Sequence, residues 1–153
     1  MVKELRCFFM LVVFAITLTT CKKYPEGGKH SGAKKDIAGT WDMKQIFVNG
    51  NDSTNVYSNY LCQYTFEVYL IGGKTYYSKT CSGICGTWDL KKYKNVLYMD
   101  TEGKGPCSGG FLGGNSSKTG KEWVILKLTN EMKLKNISSN GADEYIVVLN
   151  KIN

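Results

Sequence analysis

The sequence predicts an all-β domain: eight antiparallel strands closed up and down into a barrel, with a two-sheet β-sandwich as the alternative. Three observations carry this expectation. Apolar residues alternate with polar ones in short runs, the period of a strand buried on one face. Glycine and asparagine turn signals separate those runs at close spacing. No segment of helical period reaches a length that would make a stable helix. Closure is preferred to an open sheet because eight consecutive strands then bury one face and leave no unpaired edge.

The strands follow in order from Asp36. The run Gly39 to Val48 alternates so that Trp41, Met43 and Phe47 share a face, which also turns Gln45 inward. Val56 to Leu61 reads as a turn of helix. Cys62 to Leu70 alternates most clearly, with Tyr64, Phe66, Val68 and Leu70 against Gln63, Thr65 and Glu67. Ile71-Gly72-Gly73 is a turn signal, so Lys74 to Thr80 returns as the second arm of a hairpin. Gly86 to Lys91 sets Trp88 and Leu90 to one side, and Asn95 to Asp100 is the next strand. A glycine-rich loop fills Thr101 to Gly120. Glu122 to Thr129, Met132 to Asn136 and Glu144 to Ile152 complete the set, with turns at Asn130-Glu131 and Asn140-Gly141.

The chain has 153 residues, of which 42% are hydrophobic, too many for a disordered protein. It divides into three parts: residues 1–20, a leader that is removed; residues 21–35, a flexible tether; and residues 36–153, the barrel. Lys3 and Arg6 precede the apolar run Cys7 to Leu18, which is too short to span a bilayer and has the layout of a secretory signal peptide. Leu18-Thr19-Thr20-Cys21 then resembles the lipobox of bacterial lipoproteins. That resemblance implies cleavage before Cys21 and a diacylglycerol on its sulfur, a stable membrane anchor. By analogy with enteric lipoproteins, Lys22 in place of Asp implies the outer membrane. The basic Lys22-Lys23-Tyr24-Pro25-Glu26 favours its periplasmic face over the cell surface.

The net charge of +7 is mostly outside the barrel. Residues 22–35 hold five lysines against Glu26, and residues 36–153 hold 13 lysines against 11 acids. The only arginine is Arg6, so bidentate guanine or phosphate clamps are missing and a nucleic-acid partner is not expected.

Four cysteines remain in the barrel: Cys62, Cys81, Cys85 and Cys107. An even set in an exported domain reads as two disulfides, and their spacing lacks the short paired knuckles of a zinc site. The strand order gathers all four at one end. A turn at Ile71-Gly72 makes Cys62 oppose Cys81, which favours Cys62–Cys81 with Cys85–Cys107. Cys62–Cys85 with Cys81–Cys107 stays open, because Gly72-Gly73 can shift the turn by a residue.

Several chemistries are disfavoured. His30, in the tether, is the only histidine, which removes Ser-His or Cys-His catalysis and His-ligated metals from the barrel. Alternation points Glu67 and Asp89 outward, as on a solvated strand face rather than as an acid/base pair. The loop Gly113 to Lys121 fails the spacing of a phosphate loop. No catalytic residues, cofactor or metal are expected.

Gly39-Thr40-Trp41 at the start of the first strand is similar to the Gly-x-Trp signature of lipocalins. Thr65-Phe66, a second Gly86-Thr87-Trp88, and Ile125-Leu126-Lys127-Leu128-Thr129 follow in the order seen in lipocalin-like lipoproteins of Gram-negative bacteria. The resemblance covers Asp36 to Ile152. It departs in one respect, since larger lipocalins place an arginine near the last strand over the tryptophan and none stands here. The resemblance implies a barrel that binds a small, mostly apolar ligand without covalent chemistry. Trp41, Gln45, Phe47, Tyr64, Phe66 and Trp88 are then the candidate wall, although plain core is the favoured reading of Trp41, Tyr64, Phe66 and Trp88. Phe111 and Leu112 at the loop tip are candidates for a lid or a partner contact. The alternative function is a non-enzymatic envelope interaction module, for adhesion, inhibition or carbohydrate binding, with a filled barrel. Interior side-chain volume discriminates the two.

Overall fold

The computed structural model describes residues 33–70, 73–92, 94–101, 107, 110–113, 121–137 and 141–152. The expected leader, Cys21, residues 22–32 of the expected tether, the expected Ile71-Gly72 turn and residues 114–120 of the glycine-rich loop lie outside that set. A short helix α1 (Ala33–Ile37) precedes nine strands: β1 (Gly39–Val48), β2 (Asn51–Asp52), β3 (Gln63–Val68), β4 (Lys74–Ser78), β5 (Cys85–Lys91), β6 (Val96–Asp100), β7 (Glu122–Leu128), β8 (Glu131–Ile137) and β9 (Glu144–Ile152). Every neighbouring pair is antiparallel, and β9 returns to pair with β1 from Thr40↔Ile152 to Val48↔Tyr145. The sheet is therefore closed. β2 is a two-residue return folded on the end of β1, which leaves eight strands in the up-and-down barrel.

The register fixes two ends. Gly39 pairs with Phe66 and Thr40 with Ile152, so the start of β1, the end of β3 and the end of β9 lie together. α1 leads into that end, which we call the closed end. It also carries the β3–β4, β5–β6 and β7–β8 turns. The rim opposite holds the β1–β3 segment, the β4–β5 turn, and the β6–β7 and β8–β9 connections.

Four sequence expectations change. A bulge between Met43 and Gln45 shifts β1 by one residue against β9. Trp41 and Met43 face inward, but beyond the bulge Ile46 takes the inward phase, and Gln45 and Phe47 do not join the core. In β3, Tyr64 and Phe66 are buried, whereas Val68 and Leu70 are exposed. They run past Gly39, where β1 begins, so no strand covers them on that side. The β3–β4 register places Tyr64 opposite Ser78 and Val68 opposite Lys74, one residue off the turn expected at Ile71-Gly72. Finally, Ala33, Lys34 and Lys35, assigned to the tether, belong to α1, and Ala33 is fully buried.

The closed end is sealed by a side chain the sequence did not single out. Trp41 Nε1 donates to the Ile37 carbonyl at 2.7 Å, which ties α1 beneath the barrel. Lys151 on β9 lays its ammonium 5.3 Å from the centre of the Trp41 ring and donates to the Asp36 carbonyl at 3.0 Å. A lysine thus covers the tryptophan where the lipocalin pattern has an arginine.

Both disulfides sit at the rim. Cys62 bonds Cys81 and Cys85 bonds Cys107, with Cα separations of 5.7 and 5.1 Å. This is the favoured pairing. Cys62 lies just before β3 and Cys81 just after β4, so the bond ties the end of a hairpin without needing the two residues directly opposed in the ladder.

Candidate functional site

The barrel interior is where a ligand would sit, and its lining decides what the fold can do. Along β1, β3 and β5, Trp41, Tyr64, Phe66 and Trp88 point inward as alternation requires. They are joined by Tyr76, Leu97, Met99, Trp123, Ile125, Met132, Leu134, Val147 and Leu149 in one continuous core. Of the six candidate wall residues, the structure brings together Trp41, Tyr64, Phe66 and Trp88. Gln45 is exposed and Phe47 half-buried, so neither belongs to that set.

Two aromatic groups fill the space. In the lower group, Phe66 meets Trp88 edge-on with centroids 5.9 Å apart and lies 6.2 Å from Tyr76. Trp88 Nε1 donates to the Glu67 carbonyl at 3.1 Å, so its polar edge is satisfied. In the upper group, Phe111 contacts Tyr57, Tyr60, Tyr145 and Trp123 at centroid distances of 5.6, 5.5, 5.7 and 6.1 Å. Trp123 Nε1 donates to the Leu112 carbonyl at 2.8 Å. Phe111 and Leu112 are 1% and 0% exposed, so the loop tip expected to be a lid or contact is folded into the mouth as a plug.

The upper group holds the residues that sequence reasoning passed over. Trp123 and Ile125 alternate inward on β7, a signal legible at period 2. Tyr57 precedes and Tyr60 ends a 3₁₀ turn (Ser58–Tyr60), where no periodicity marks them.

Two polar atoms inside the barrel stand out. The hydroxyls of Tyr64 and Tyr76 are buried and make no hydrogen bond among the described residues. Burial pushes both phenols well above the ordinary tyrosine range. The backbone of Phe111 and Leu112 approaches Tyr64 closely enough to offset part of its rise, though not in hydrogen-bonding geometry. For Tyr76 the neighbouring Tyr64 and Asp100 raise it further.

Several carboxylates of the strands engage lysines, whereas Glu67 accepts from the Tyr69 hydroxyl. Burial would raise the pKa of Asp89, but its pairing with Lys74 and the hydrogen bond from the Leu90 N–H together leave it lowered. Asp100 accepts from Lys121 at 2.8 Å and from the Tyr98 hydroxyl at 2.9 Å. Among the described residues, no three His, Cys, Asp or Glu side chains converge as a metal site would need. One recess of about 420 Å³ opens at the closed end, lined by Asp36, Leu128, Thr129, Asn130 and Lys151. It is shallow and largely polar, and none of the candidate wall residues lines it. No protein-family model matches the chain, and no curated protein matches it in sequence.

Proposed function

We propose that this protein is a lipocalin-like lipoprotein of the bacterial envelope, anchored through Cys21 on the periplasmic face of the outer membrane. In this reading it is a non-enzymatic interaction module. The barrel is a filled scaffold, and contacts with partners are made by its ends and outer face. The observation that carries this is the interior. Large side chains from all eight strands occupy it at essentially zero exposure, and Phe111 and Leu112 close the mouth. The rim disulfides accord with export into an oxidising compartment.

Native mass spectrometry of the chain purified from membranes tests this directly. The expected result is a diacylated mature chain beginning at Cys21, with no small molecule retained. A co-purifying lipid or metabolite in stoichiometric amount overturns the filled-scaffold reading.

A second reading has one observation in its favour. The unpartnered Tyr64 and Tyr76 hydroxyls lie among apolar groups beneath the plug. Unsatisfied buried hydroxyls are costly. A small, mostly apolar ligand carrying one polar group would satisfy them if the plug swung aside. In that case the retained molecule is lost on Tyr64→Phe with Tyr76→Phe.

A further inference from the structure

We propose that the closed end of the barrel docks on an anionic phospholipid surface. Leu70 and Tyr69 enter the headgroup boundary, and lysines around them meet the lipid phosphates.

The first observation is where apolar surface is left uncovered. Among the described residues, five large hydrophobic side chains are exposed, and four of them lie at the closed end: Val68 at 47%, Tyr69 at 51%, Leu70 at 108% and Ile152 at 39%. Only Val56, at 80%, is at the rim. Leu70 lies in the β3–β4 connection, beyond the residue that pairs with the start of β1. A Tyr beside a Leu suits a membrane interface, where the ring can sit at headgroup depth with its hydroxyl in water.

The second observation is charge. The same end presents exposed Lys34 and Lys35 on α1, and Lys91, Lys92 and Lys94 at the β5–β6 turn. Lys91 and Lys92 also contact Glu122, at 3.5 and 2.9 Å, from side chains that remain largely exposed. These lysines outnumber the carboxylates of the same end, which are Asp36, Glu67 (accepting from the Tyr69 hydroxyl), Asp89 (paired with Lys74) and Glu131 (paired with Lys127). An apolar tip beside a net positive charge is the combination that anionic bilayers attract.

The third observation is where the remaining chain enters. Residues 1–32 precede α1, so Lys22, Lys23 and Lys29 join the barrel at this end. Twelve residues separate Cys21 and α1 inclusively of Cys21, a span of at most roughly 40 Å. An anchored Cys21 therefore keeps the closed end near the bilayer. That part of the argument rests on the lipoprotein reading; the apolar tip and the lysines do not.

The test uses Leu70→Trp and, as the control at the rim, Val56→Trp in the full mature chain. The three native tryptophans are buried, so the introduced indole reports on its own surroundings. The protein is mixed with vesicles of phosphatidylglycerol and acyl-brominated phosphatidylcholine. Docking predicts bromine quenching and a blue shift for Trp introduced at 70, with neither at 56. Lys34→Gln with Lys35→Gln weakens partitioning of the unacylated Cys21→Ser chain about 25-fold, from about 1 kcal/mol per lysine. Leu70 is fully exposed, so Leu70→Asp leaves the fold intact and weakens partitioning of the Cys21→Ser chain onto the same vesicles. Vesicle-bound protein with position 70 unquenched, or with 56 quenched equally, overturns the proposal, and so does no binding of the Cys21→Ser chain to anionic vesicles at millimolar lipid. The same chain sedimenting with another envelope protein in place of vesicles assigns this face to a protein partner and also overturns it. A mature chain whose mass lacks the acyl groups overturns the lipoprotein reading alone.

Discussion

Replacing Phe111 by alanine tests whether the barrel is sealed. The ring is 1% exposed and packs against four aromatic side chains, Tyr57, Tyr60, Trp123 and Tyr145. Truncating a buried phenylalanine costs about 3–5 kcal/mol, because transfer free energy is lost and the walls close only in part. Here the four partners are held by β7, β9, the 3₁₀ turn and the Cys62–Cys81 bond, so little collapse is available. At a urea slope of about 2 kcal/mol/M, the unfolding midpoint falls by about 2 M with the disulfides intact. The void is apolar and comparable to engineered cavities that stay dry and admit benzene or xenon. Urea titration followed by tryptophan fluorescence gives the first quantity. Benzene binding, read by calorimetry on variant and wild type, gives the second. The variant binds and the wild type does not. A cost below about 1 kcal/mol would show that the plug opens at little expense. The interior would then be accessible, and the filled-scaffold reading would fail.

Three further outcomes follow from the packing. Gly86→Ala puts a methyl group 2.3 Å from the Asp100 carbonyl oxygen and 2.8 Å from the Tyr76 ring, neither of which can move freely. It costs about 3 kcal/mol or more and lowers the melting temperature by about 10 °C, measured by circular dichroism. Lys151→Met keeps the packed stem but loses the bond to Asp36 and the cation over Trp41. A loss of about 1–2 kcal/mol is expected in urea, with Lys151→Arg close to wild type; equal losses would refute the role of the charge. Tyr64 and Tyr76 are held protonated by burial, whereas in the unfolded chain they ionise near 10. Their folded pKa values are raised, so this contribution is whole below about pH 10 and is lost as pH rises above it. Tyr64→Phe with Tyr76→Phe flattens that alkaline fall, read from urea midpoints between pH 8 and 11.

The fold was legible because strand alternation is a local property. Tyr64, Phe66 and Trp88 fell on the expected side from their spacing alone, and the last three strands lie where their runs were expected. Local period fails where the backbone leaves its period. The bulge after Met43 moved Gln45 and Phe47 out of the core with no glycine or proline to announce it. Val68 and Leu70 obey the pattern of their own strand, yet their exposure depends on where β1 starts, a fact about a different strand. The disulfides survived a one-residue register error, since Cys62, Cys81 and Cys107 lie outside the ladders and only Cys85, opposite Tyr77, belongs to one.

Whether such a barrel binds inside it depends on volume, which alternation does not measure. An eight-stranded barrel is just wide enough to be filled by side chains or to hold one small ligand. With Trp41, Trp88, Tyr64, Tyr76 and Phe66 all inward, the first outcome dominates in the lower part. The upper part was undecided until Phe111 and Leu112 were seen inside it, and those two residues come from a loop without periodicity. Their position follows from chain constraints nearby. Cys107 is fixed to Cys85 on β5, and Gly110, at φ +56°, turns the chain where an added Cβ would lie 2.6 Å from Ile84 and 3.1 Å from the Tyr64 hydroxyl. The bond delivers the loop to the rim and the glycine lets it turn inward. The same short stretch therefore decides between an open pocket and a sealed scaffold, and a side chain at position 110 should disturb the mouth before it disturbs the sheet.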